Sequence, residues 1–318
     1  MNNVDIVVDA GNSRVKAVLI KDNKIVDTIS VPSSILYVDS PMGLSGECII
    51  NGVTSILGES ALGVSGGVNL VDDSKGKLTH LKGVLGGVLS LLSSDIPNNS
   101  TIRFHVLTLY KGSEQQIRES LQGLNSIVID GEQRTYTVEL DRVLPEGYGA
   151  CLSTMKEFKG SKELMVLDIG GGTVNLSKYR LSGNVPKRTY FDFRPLGTSI
   201  LMEMISEEAR QETTNGKVDR LQLERQLITN SKGPMDGYIS RGLDSWCDLF
   251  MESVIYSKLY FDLTMEVPLV VCGGGVKLEL LKKSLNDILS KISPKASFVR
   301  DPEIIGIVGV AKQILADV

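Results

Sequence analysis

Histidine, cysteine and tryptophan are scarce in this sequence. The 318 residues include two histidines, four cysteines and one tryptophan. Two histidines argue against a multi-histidine metal site and against a histidine-based catalytic triad, so any chemistry must come from carboxylates, lysines and backbone amides. The cysteines stand far apart and form no CxxC pair. This argues against a disulfide framework or a zinc site and is typical of a protein in a reducing compartment.

Basic runs and long apolar runs are also missing. Lys plus Arg number 34 and Asp plus Glu 38, so the net charge is −4, and we expect no direct binding to nucleic acid or to an anionic membrane. No apolar run approaches the roughly 18 residues of a membrane span, and the first residues do not resemble a signal peptide. We therefore expect a soluble, cytoplasmic protein. With 42% hydrophobic and 23% charged residues, the chain can bury a core, and its length suits two lobes.

The sequence contains an internal repeat. One apolar run leads to Asp9-Ala-Gly11, and a second leads to Asp168-Ile-Gly170. The two aspartates are 159 residues apart, half of the 318, which indicates an internal duplication. A β-rich pattern resumes after each turn, so each repeat is predicted to be a hairpin of two strands. A Rossmann or Walker loop leads into a helix instead, so neither is expected.

Strand-like and helix-like stretches alternate in both halves, which predicts α/β layers. Helices are expected over residues 81–92, 114–124, 147–158, 197–209, 244–263, 276–289 and 303–316, and further strands over 101–109, 126–142 and 269–272. Residues 31–70 and 211–241 are expected to be irregular, because their polar and turn-forming residues show no clear period.

Each aspartate hairpin suits phosphate chemistry. A strand that ends in Asp places a carboxylate at the edge of a sheet, and the glycine after it lets backbone N–H groups converge on a phosphate. Lys16 adds a positive charge near Asp9, and Thr173 adds a hydroxyl near Asp168. The plain alternatives are an ordinary turn with a solvated lysine and, for residues 170–172, a flexible linker. Two such hairpins can grip a polyphosphate from opposite sides, with both aspartates facing a hydrated Mg²⁺.

Three further places are candidates. Gly273-Gly274-Gly275 lies between a buried strand and a helix, where a flat ring can lie against the backbone; the alternative is a tight strand–helix corner. Glu146 follows Pro145 at a predicted helix start, where a carboxylate can orient or deprotonate an attacking water. An acid there is also stabilised by the helix dipole without a catalytic role. Gly197 precedes a helix, where a glycine is more often a cap or packing residue than a ligand contact.

In this order and spacing, the motifs resemble the nucleotide-binding core shared by actin, sugar kinases and heat-shock chaperone ATPases. The matching segments are 9–16 and 168–173 for its two phosphate motifs, 270–276 for its adenosine motif, and 145–150 and 305–311 for its connecting segments. The resemblance spans the whole chain. Within that superfamily, residues 9–16, 58–61 and 145–150 are most similar to the bacterial and plasmid actin homologues of the ParM/StbA group.

The resemblance implies an α/β protein with a duplicated actin-like ATPase fold: two lobes, each with a mixed sheet flanked by helices, and the nucleotide in the cleft between them. The first lobe is expected over residues 1–160, with a small subdomain at about 31–95, and is completed by a C-terminal helix at about 303–318. The second lobe is expected over residues 161–302.

The resemblance also implies an activity and the residues that carry it out. The expected activity is hydrolysis of ATP, with GTP as the alternative nucleotide, coupled to filament assembly. The implied catalytic residues are Asp9, Glu146 and Asp168, of which Asp9 and Asp168 would bind Mg²⁺ largely through waters and Glu146 would position the hydrolytic water. The candidate nucleotide-binding residues are Gly11, Asn12, Ser13, Lys16, Gly170, Gly171, Gly172, Thr173, Gly197, Gly273, Gly274 and Gly275.

Partners follow from the same resemblance. Plasmid-segregating relatives act on DNA through a small DNA-binding adaptor, so self-association into filaments and such an adaptor are the expected partners. Two alternatives stay open. One is a small-molecule phosphotransferase of the same fold, in which a carboxylate activates a substrate hydroxyl instead of water. The other is a nucleotide-gated interaction module that does not polymerise.

Overall fold

The computed structural model describes residues 3–62, 64, 66–69, 77–108, 113–183, 185–212, 220–233, 235–265 and 267–317. Internal contacts divide the chain into two units, one made of Met1–Glu146 with Ile307–Val318 and the other of Gly147–Gly306. The lobe boundary that we predict near residue 160, just before the second repeat, stays a prediction.

The strands of the first unit form two sheets. In chain order they are β1 (Asn3–Ala10), β2 (Arg14–Lys21), β3 (Lys24–Pro32), β4 (Ser34–Val38), β5 (Glu47–Ile50), β6 (Val53–Leu57), β7 (Val68–Asn69), β8 (Thr101–Thr108), β9 (Ser126–Ile129), β10 (Glu132–Thr135) and β11 (Thr137–Pro145). The first sheet has the order β3-β2-β1-β8-β11. Within it, β1 runs antiparallel to β2 and parallel to β8, and β11 runs parallel to β8. The predicted β1–β2 hairpin is therefore confirmed.

The second sheet of this unit corrects our expectation for residues 31–70. That stretch is not irregular, because it contains β4, β5, β6 and β7, which join β9 and β10 in the order β10-β9-β5-β6-β4-β7. These strands are two to five residues long, and left-handed residues such as Asn51 and Gly52 occupy the turn between β5 and β6. Strands this short give too few alternations to produce a period in the sequence.

Helices cover the sheets of the first unit. They are α1 (Glu59–Leu62), α2 (Leu81–Leu91) and α3 (Glu114–Ser120), with a 3-10 turn at Lys77–His80. Helix α2 packs against β5 and β6, and its Gly86 allows the close approach: an added Cβ would lie 2.5 Å from Ile50 Cδ1 and 2.6 Å from Cys48 Sγ. The helices predicted over 81–92 and 114–124 are confirmed, although the second ends at Ser120.

The second unit repeats the first sheet. Its strands are β12 (Glu163–Ile169), β13 (Val174–Arg180), β14 (Lys187–Arg194), β15 (Leu269–Cys272) and β16 (Ala296–Phe298), in the order β14-β13-β12-β15-β16. The β12–β13 and β13–β14 pairs are antiparallel, whereas β12–β15 and β15–β16 are parallel. Order and directions match those of the first sheet strand for strand, which confirms the predicted duplication.

The helices of this unit begin and end differently from the sequence prediction. They are α4 (Tyr148–Thr154), α5 (Thr198–Glu212), α6 (Arg220–Thr229), α7 (Asp236–Ile255), α8 (Tyr260–Thr264) and α9 (Glu279–Ile292), and α10 (Ile305–Ala316) then leads back into the first unit. Residues 211–241 were expected to be irregular, but α6 and the start of α7 lie there. Among the described side chains of α6, Leu223 and Leu227 are fully buried, and because most residues of the helix are polar its sequence shows no clear period. The long helix predicted over 244–263 is divided at residues 256–259 into α7 and α8.

The length and hydrophobicity of the helices show whether any of them could span a membrane. Within the described ranges, no helix is both long enough and apolar enough to cross a bilayer.

Candidate functional site

The first aspartate lies near the end of β1. Asp9 is the register partner of Lys16 across the β1–β2 hairpin, and Lys16 Nζ lies 3.1 Å from Asp9 Oδ2. Both side chains are largely buried: Asp9 is 17% exposed and Lys16 is 14% exposed. The other carboxylate oxygen, Asp9 Oδ1, is buried and has no hydrogen-bond partner among the described residues. A buried acceptor of this kind needs a partner, so it marks a place where a ligand or ordered water fits.

The turn after Asp9 is held by a residue that the sequence does not signal. Ser33 is buried, its Oγ donates to the carbonyl oxygen of Gly11 at 2.5 Å, and its N–H donates to the carbonyl oxygen of Ser13 at 2.9 Å. Gly11 is needed for close packing, since an added Cβ would lie 2.7 Å from the Arg14 carbonyl oxygen. Asn12 is half-buried and the Ser13 side chain is exposed. The turn is thus fixed from one side while its polar side chains stay accessible.

Glu146 lies at the same edge of the first sheet. Asp9 pairs in register with Leu107 of β8, which pairs with Leu144 of β11. Neighbouring strands are about 4.8 Å apart, so Asp9 and Leu144 are separated by about 10 Å across the sheet. Glu146 follows two residues later, and its N–H donates to the Thr108 carbonyl oxygen at 3.1 Å. The sheet topology therefore brings two of the three predicted catalytic carboxylates to one edge.

The second glycine turn joins β12 to β13. Its ends are closed by a hydrogen bond from the Gly170 N–H to the Thr173 carbonyl oxygen, at 2.8 Å. The Thr198 N–H, at the start of α5, donates to the Gly170 carbonyl oxygen at 3.0 Å. Ser199 donates to the Gly171 carbonyl oxygen from both its N–H and its Oγ, each at 2.8 Å. The orphan N–H groups of the α5 N-terminus thus hold the carbonyl oxygens of the turn.

Gly197 contributes to this turn by packing. An added Cβ at Gly197 would lie 2.2 Å from the Gly171 carbonyl oxygen and 2.5 Å from the Gly172 carbonyl carbon. Distances of this size leave no space for a side chain. The structure therefore gives Gly197 a packing role against residues 171 and 172, and its contact with a nucleotide stays a prediction.

The third glycine segment lies against the second aspartate. Asp168 pairs with Cys272 across the parallel β12–β15 ladder, and Gly273 follows with φ of +97°. An added Cβ at Gly273 would lie 2.4 Å from Asp168 Oδ1. At Gly274, by contrast, an added Cβ would meet no described atom within 4 Å. The backbone at Gly274 is therefore open to an approaching ligand.

Each unit gathers its own candidates. The first brings together Asp9, Gly11, Asn12, Ser13 and Lys16 in one hairpin, with Glu146 at the same sheet edge. The second brings together Asp168, Gly170, Gly171, Gly172, Thr173, Gly197, Gly273, Gly274 and Gly275. Sequence reasoning missed Ser33 and Ser199, whose hydroxyls each bond a carbonyl oxygen of a glycine turn. A single serine outside a motif gives no signal for such a role.

The donor set is compatible with a hydrated cation. In the part of the chain that the structure describes, no group of three or more His, Cys, Asp or Glu side chains could hold a metal ion by itself. Mg²⁺ does not need such a group, because it keeps several waters and is usually bound by one or two carboxylates together with phosphate oxygens. Asp9 Oδ1, buried and with no partner in the ranges that the structure describes, is an acceptor of the kind that metal-bound water would use.

A second polar cluster lies further from this edge, in the same sheet. His105 on β8 has Nε2 2.9 Å from Asp5 Oδ1 and Nδ1 3.3 Å from Asp141 Oδ2, and Arg103 Nη2 lies 2.6 Å from Asp5 Oδ2. Burial acts to raise the pKa of the Asp5 carboxyl, but the hydrogen bonds from His105 and Arg103 and the positive charge of Arg103 outweigh burial and lower it. Arg142, beside Asp141, also reaches Asp317 at 3.1 Å, so the cluster continues to the C-terminal residues.

Comparison with known proteins identifies the fold. No protein-family model and no curated protein matches the sequence. A ParM from a 15-stranded Clostridium botulinum filament matches with a TM-score of 0.75 and 15% identity, covering 98% of this chain and 100% of that one. ParM of Bacillus thuringiensis, solved with ATP, matches with a TM-score of 0.68 and 14% identity, covering 100% of this chain and 98% of that one. The archaeal actin homologue Ta0583 matches with a TM-score of 0.71 and 16% identity, covering 99% of this chain and 100% of that one.

These likenesses extend over the full length of each chain. The chain has the actin-like fold. More particularly, it is similar to ParM proteins, which confirms the fold that the resemblance of its motifs implies.

Proposed function

We propose that this chain is an actin-like ATPase that binds Mg-nucleotide, assembles into filaments in the triphosphate state and serves in plasmid or DNA segregation. The observation that carries the proposal is the repeated aspartate hairpin. The same Asp-x-Gly turn follows the central strand of two sheets with identical strand order, and one of its carboxylate oxygens, Asp9 Oδ1, is buried and finds no partner in the described part of the chain. A duplicated site of this kind suits a polyphosphate ligand.

The proposed roles follow from the contacts of each hairpin. Lys16 and the backbone N–H groups of residues 11–13 bind phosphate oxygens, while Asp9 accepts hydrogen bonds from waters bound to the cation. In the second unit, Asp168 does the same, and the turn over residues 170–173 supplies further backbone donors. Gly274, where the backbone is open, faces the nucleoside. Bound Mg²⁺ would supply charge neutralisation on the phosphates.

Glu146 is proposed to orient the attacking water and to accept its proton. A carboxylate acts as a general base only when it is held within hydrogen-bond reach of the water. Its backbone is fixed by the bond to the Thr108 carbonyl oxygen and by the left-handed Gly147 that follows. The chain at this point is therefore ordered on both sides of the carboxylate.

Assembly and segregation are supported by the relatives. The similar solved structures include ParM and Alp12 filaments and a ParM variant described as non-polymerisable, and Ta0583 has been solved with ADP. The net charge of −4 makes direct DNA binding unfavourable, so we propose that a separate DNA-binding adaptor connects the filament to DNA.

Light scattering and pelleting test the proposal. Purified protein is mixed with Mg²⁺ and ATP, GTP, ADP or no nucleotide at several protein concentrations. Scattering that requires a triphosphate, begins above a critical concentration and decays as phosphate is released supports the proposal. Nucleotide binding without assembly contradicts it. A screen of hydroxyl substrates for phosphate transfer then separates the phosphotransferase from the non-polymerising module.

A further inference from the structure

An open pocket of about 610 Å³ lies within the first unit. Its walls come from strands β4, β5 and β6, from the 3-10 turn with helix α2, and from helix α3. Sites for small organic ligands commonly measure about 300–1,000 Å³, so the pocket has a suitable size for one. In the part of the chain that the structure describes, none of the predicted nucleotide-binding residues lines it. The pocket is therefore distinct from the candidate nucleotide site.

Two side chains of opposite charge line this pocket, the half-buried Lys82 on α2 and the exposed Glu119 on α3. Among the described residues, neither forms an ion pair, whether with the other or with a third side chain. The Glu119 carboxylate accepts a hydrogen bond from the neutral Gln115 at 2.9 Å, and the nearby cation Arg118 pairs with Glu114 instead, at 2.7 Å. An ammonium and a carboxylate that share a pocket without meeting can each pair with a ligand of the opposite charge.

Three hydroxyl groups of the wall are engaged within the protein. Tyr37 Oη lies 3.1 Å from His80 Nδ1, and Ser55 Oγ lies 3.4 Å from Cys48 Sγ. Ser120 Oγ donates to a carbonyl oxygen of its own helix at 2.8 Å. These contacts hold the wall side chains in place, so less conformational entropy is lost when a ligand binds. The two charges remain as the strongest polar contacts that the pocket offers.

Apolar groups form another part of the wall. Tyr37 and Val53 are 41% and 54% exposed, and Ile50 and Leu78 also line the pocket. Large apolar groups that are exposed together at a concave place are typical of ligand sites, because a ligand can remove them from water. The pocket therefore suits a molecule that carries an apolar group as well as one charge of each sign.

We propose that this pocket is a second ligand site, for a small zwitterion of the amino-acid or dipeptide type with an apolar side chain. The carboxylate of the ligand pairs with Lys82 and its ammonium with Glu119. Its side chain packs against Tyr37, Val53 and Leu78. This site requires neither nucleotide binding nor filament assembly, so it goes beyond the proposed function and is tested separately from it.

Ligand analogues test the site on unaltered protein. Saturation-transfer NMR and titration calorimetry are carried out with leucine, phenylalanine and dileucine, each also in its N-acetyl and its C-terminal amide form. We expect at least one zwitterion to bind with a Kd of about 1 mM or lower. Both blocked forms should bind about tenfold or more weakly, since each loses one charge-assisted contact. Tighter binding of leucine than of dileucine, or the reverse, identifies the ligand type. If no zwitterion binds, or if the blocked forms bind equally well, the inference is wrong.

Variants locate the binding. Lys82→Met and Glu119→Gln each remove one charge with little change in size, and Lys24→Met and Glu157→Gln make the same changes at exposed positions outside the pocket. We expect the Kd of the zwitterion to rise about tenfold or more in each pocket variant and to stay unchanged in each control. Lys82→Met should also lose the preference for the free carboxylate over the amide, and Glu119→Gln the preference for the free ammonium over the N-acetyl form. Circular dichroism shows whether all four variants fold. Wild-type affinity in folded Lys82→Met and Glu119→Gln would overturn the assignment.

Discussion

Lys16 Nζ lies 3.1 Å from Asp9 Oδ2, whereas the residue opposite Asp168 in the second hairpin is the neutral Asn175. The two repeats therefore share a backbone but differ in charge. In the first, the carboxylate is compensated by a buried ammonium that also lies next to the glycine turn. We infer that Lys16 has two roles, to balance Asp9 and to attract the phosphates of a nucleotide.

Replacement of Lys16 tests both roles. Lys16→Met keeps the length of the side chain and removes its charge, so it leaves Asp9 uncompensated and weakens nucleotide binding. A charge-assisted hydrogen bond contributes about 1.5–3 kcal/mol, so we expect the nucleotide Kd to rise at least about tenfold. Titration calorimetry measures the Kd, and Lys24→Met, on the exposed start of β3, is the control. An unchanged Kd would rule out a phosphate contact.

Gly273 and Gly274 form a matched pair for a stability experiment. Gly273→Ala places a methyl group 2.4 Å from Asp168 Oδ1 on a residue with φ of +97°. The left-handed backbone alone costs about 1–2 kcal/mol, so with the clash we expect a loss of about 2 kcal/mol or more in the free energy of unfolding. Gly274→Ala meets no described atom and is expected to change stability little. Urea unfolding measures the free energy of unfolding of both variants. Equal values for Gly273→Ala and Gly274→Ala would contradict the close packing at Gly273.

Ser33 is predicted to hold the first turn in its binding conformation. Ser33→Ala removes the hydrogen bond to the Gly11 carbonyl oxygen and is expected to destabilise the protein by about 1 kcal/mol. Because the turn over residues 11–13 is then held less firmly, the nucleotide Kd should rise as the free energy of unfolding falls. Ser40→Ala, at an exposed serine, is the control. A Ser33→Ala protein that is less stable but binds nucleotide with the wild-type Kd would limit Ser33 to a structural role.

The sequence predicts some of these features and not others, for physical reasons. The hairpins at Asp9 and Asp168 are predictable because a buried strand, a tight turn and a second strand are all local signals. The roles of Ser33 and Gly197 are not, since each depends on a contact with a segment distant in the chain. Short strands such as β5 and β6 carry no period, and the pairing of β5 with the distant β9 appears only in the folded chain.

Stability should depend on pH through Asp5. Its folded-state pKa lies below the ordinary value of an aspartate, because the hydrogen bonds from His105 and Arg103 and the charge of Arg103 outweigh the effect of burial. A lowered pKa means that this stabilisation is fully present above pH of about 4 and is lost as the pH falls through the folded-state pKa. Asp5→Asn should therefore lower the free energy of unfolding at pH 6, and the gap to wild type should shrink toward pH 2. Urea unfolding at several pH values measures the gap, and a gap independent of pH would contradict the prediction.

Glu146 offers the sharpest test of the chemistry. Glu146→Gln keeps the size and hydrogen-bonding capacity of the side chain but removes its ability to accept a proton. If Glu146 deprotonates the attacking water, Glu146→Gln should slow hydrolysis by about 10²–10⁴-fold, the range for general acid–base catalysis, with nucleotide affinity nearly unchanged. Phosphate release under saturating Mg-ATP gives the rate, and calorimetry gives the affinity. Because assembly is proposed to require the triphosphate state, the variant should still assemble and its filaments should persist longer than those of wild type. Glu157→Gln, a substitution of the same chemistry at an exposed position just after α4, should hydrolyse and disassemble as wild type does. Wild-type turnover in Glu146→Gln would remove Glu146 from the mechanism and leave water activation to another group.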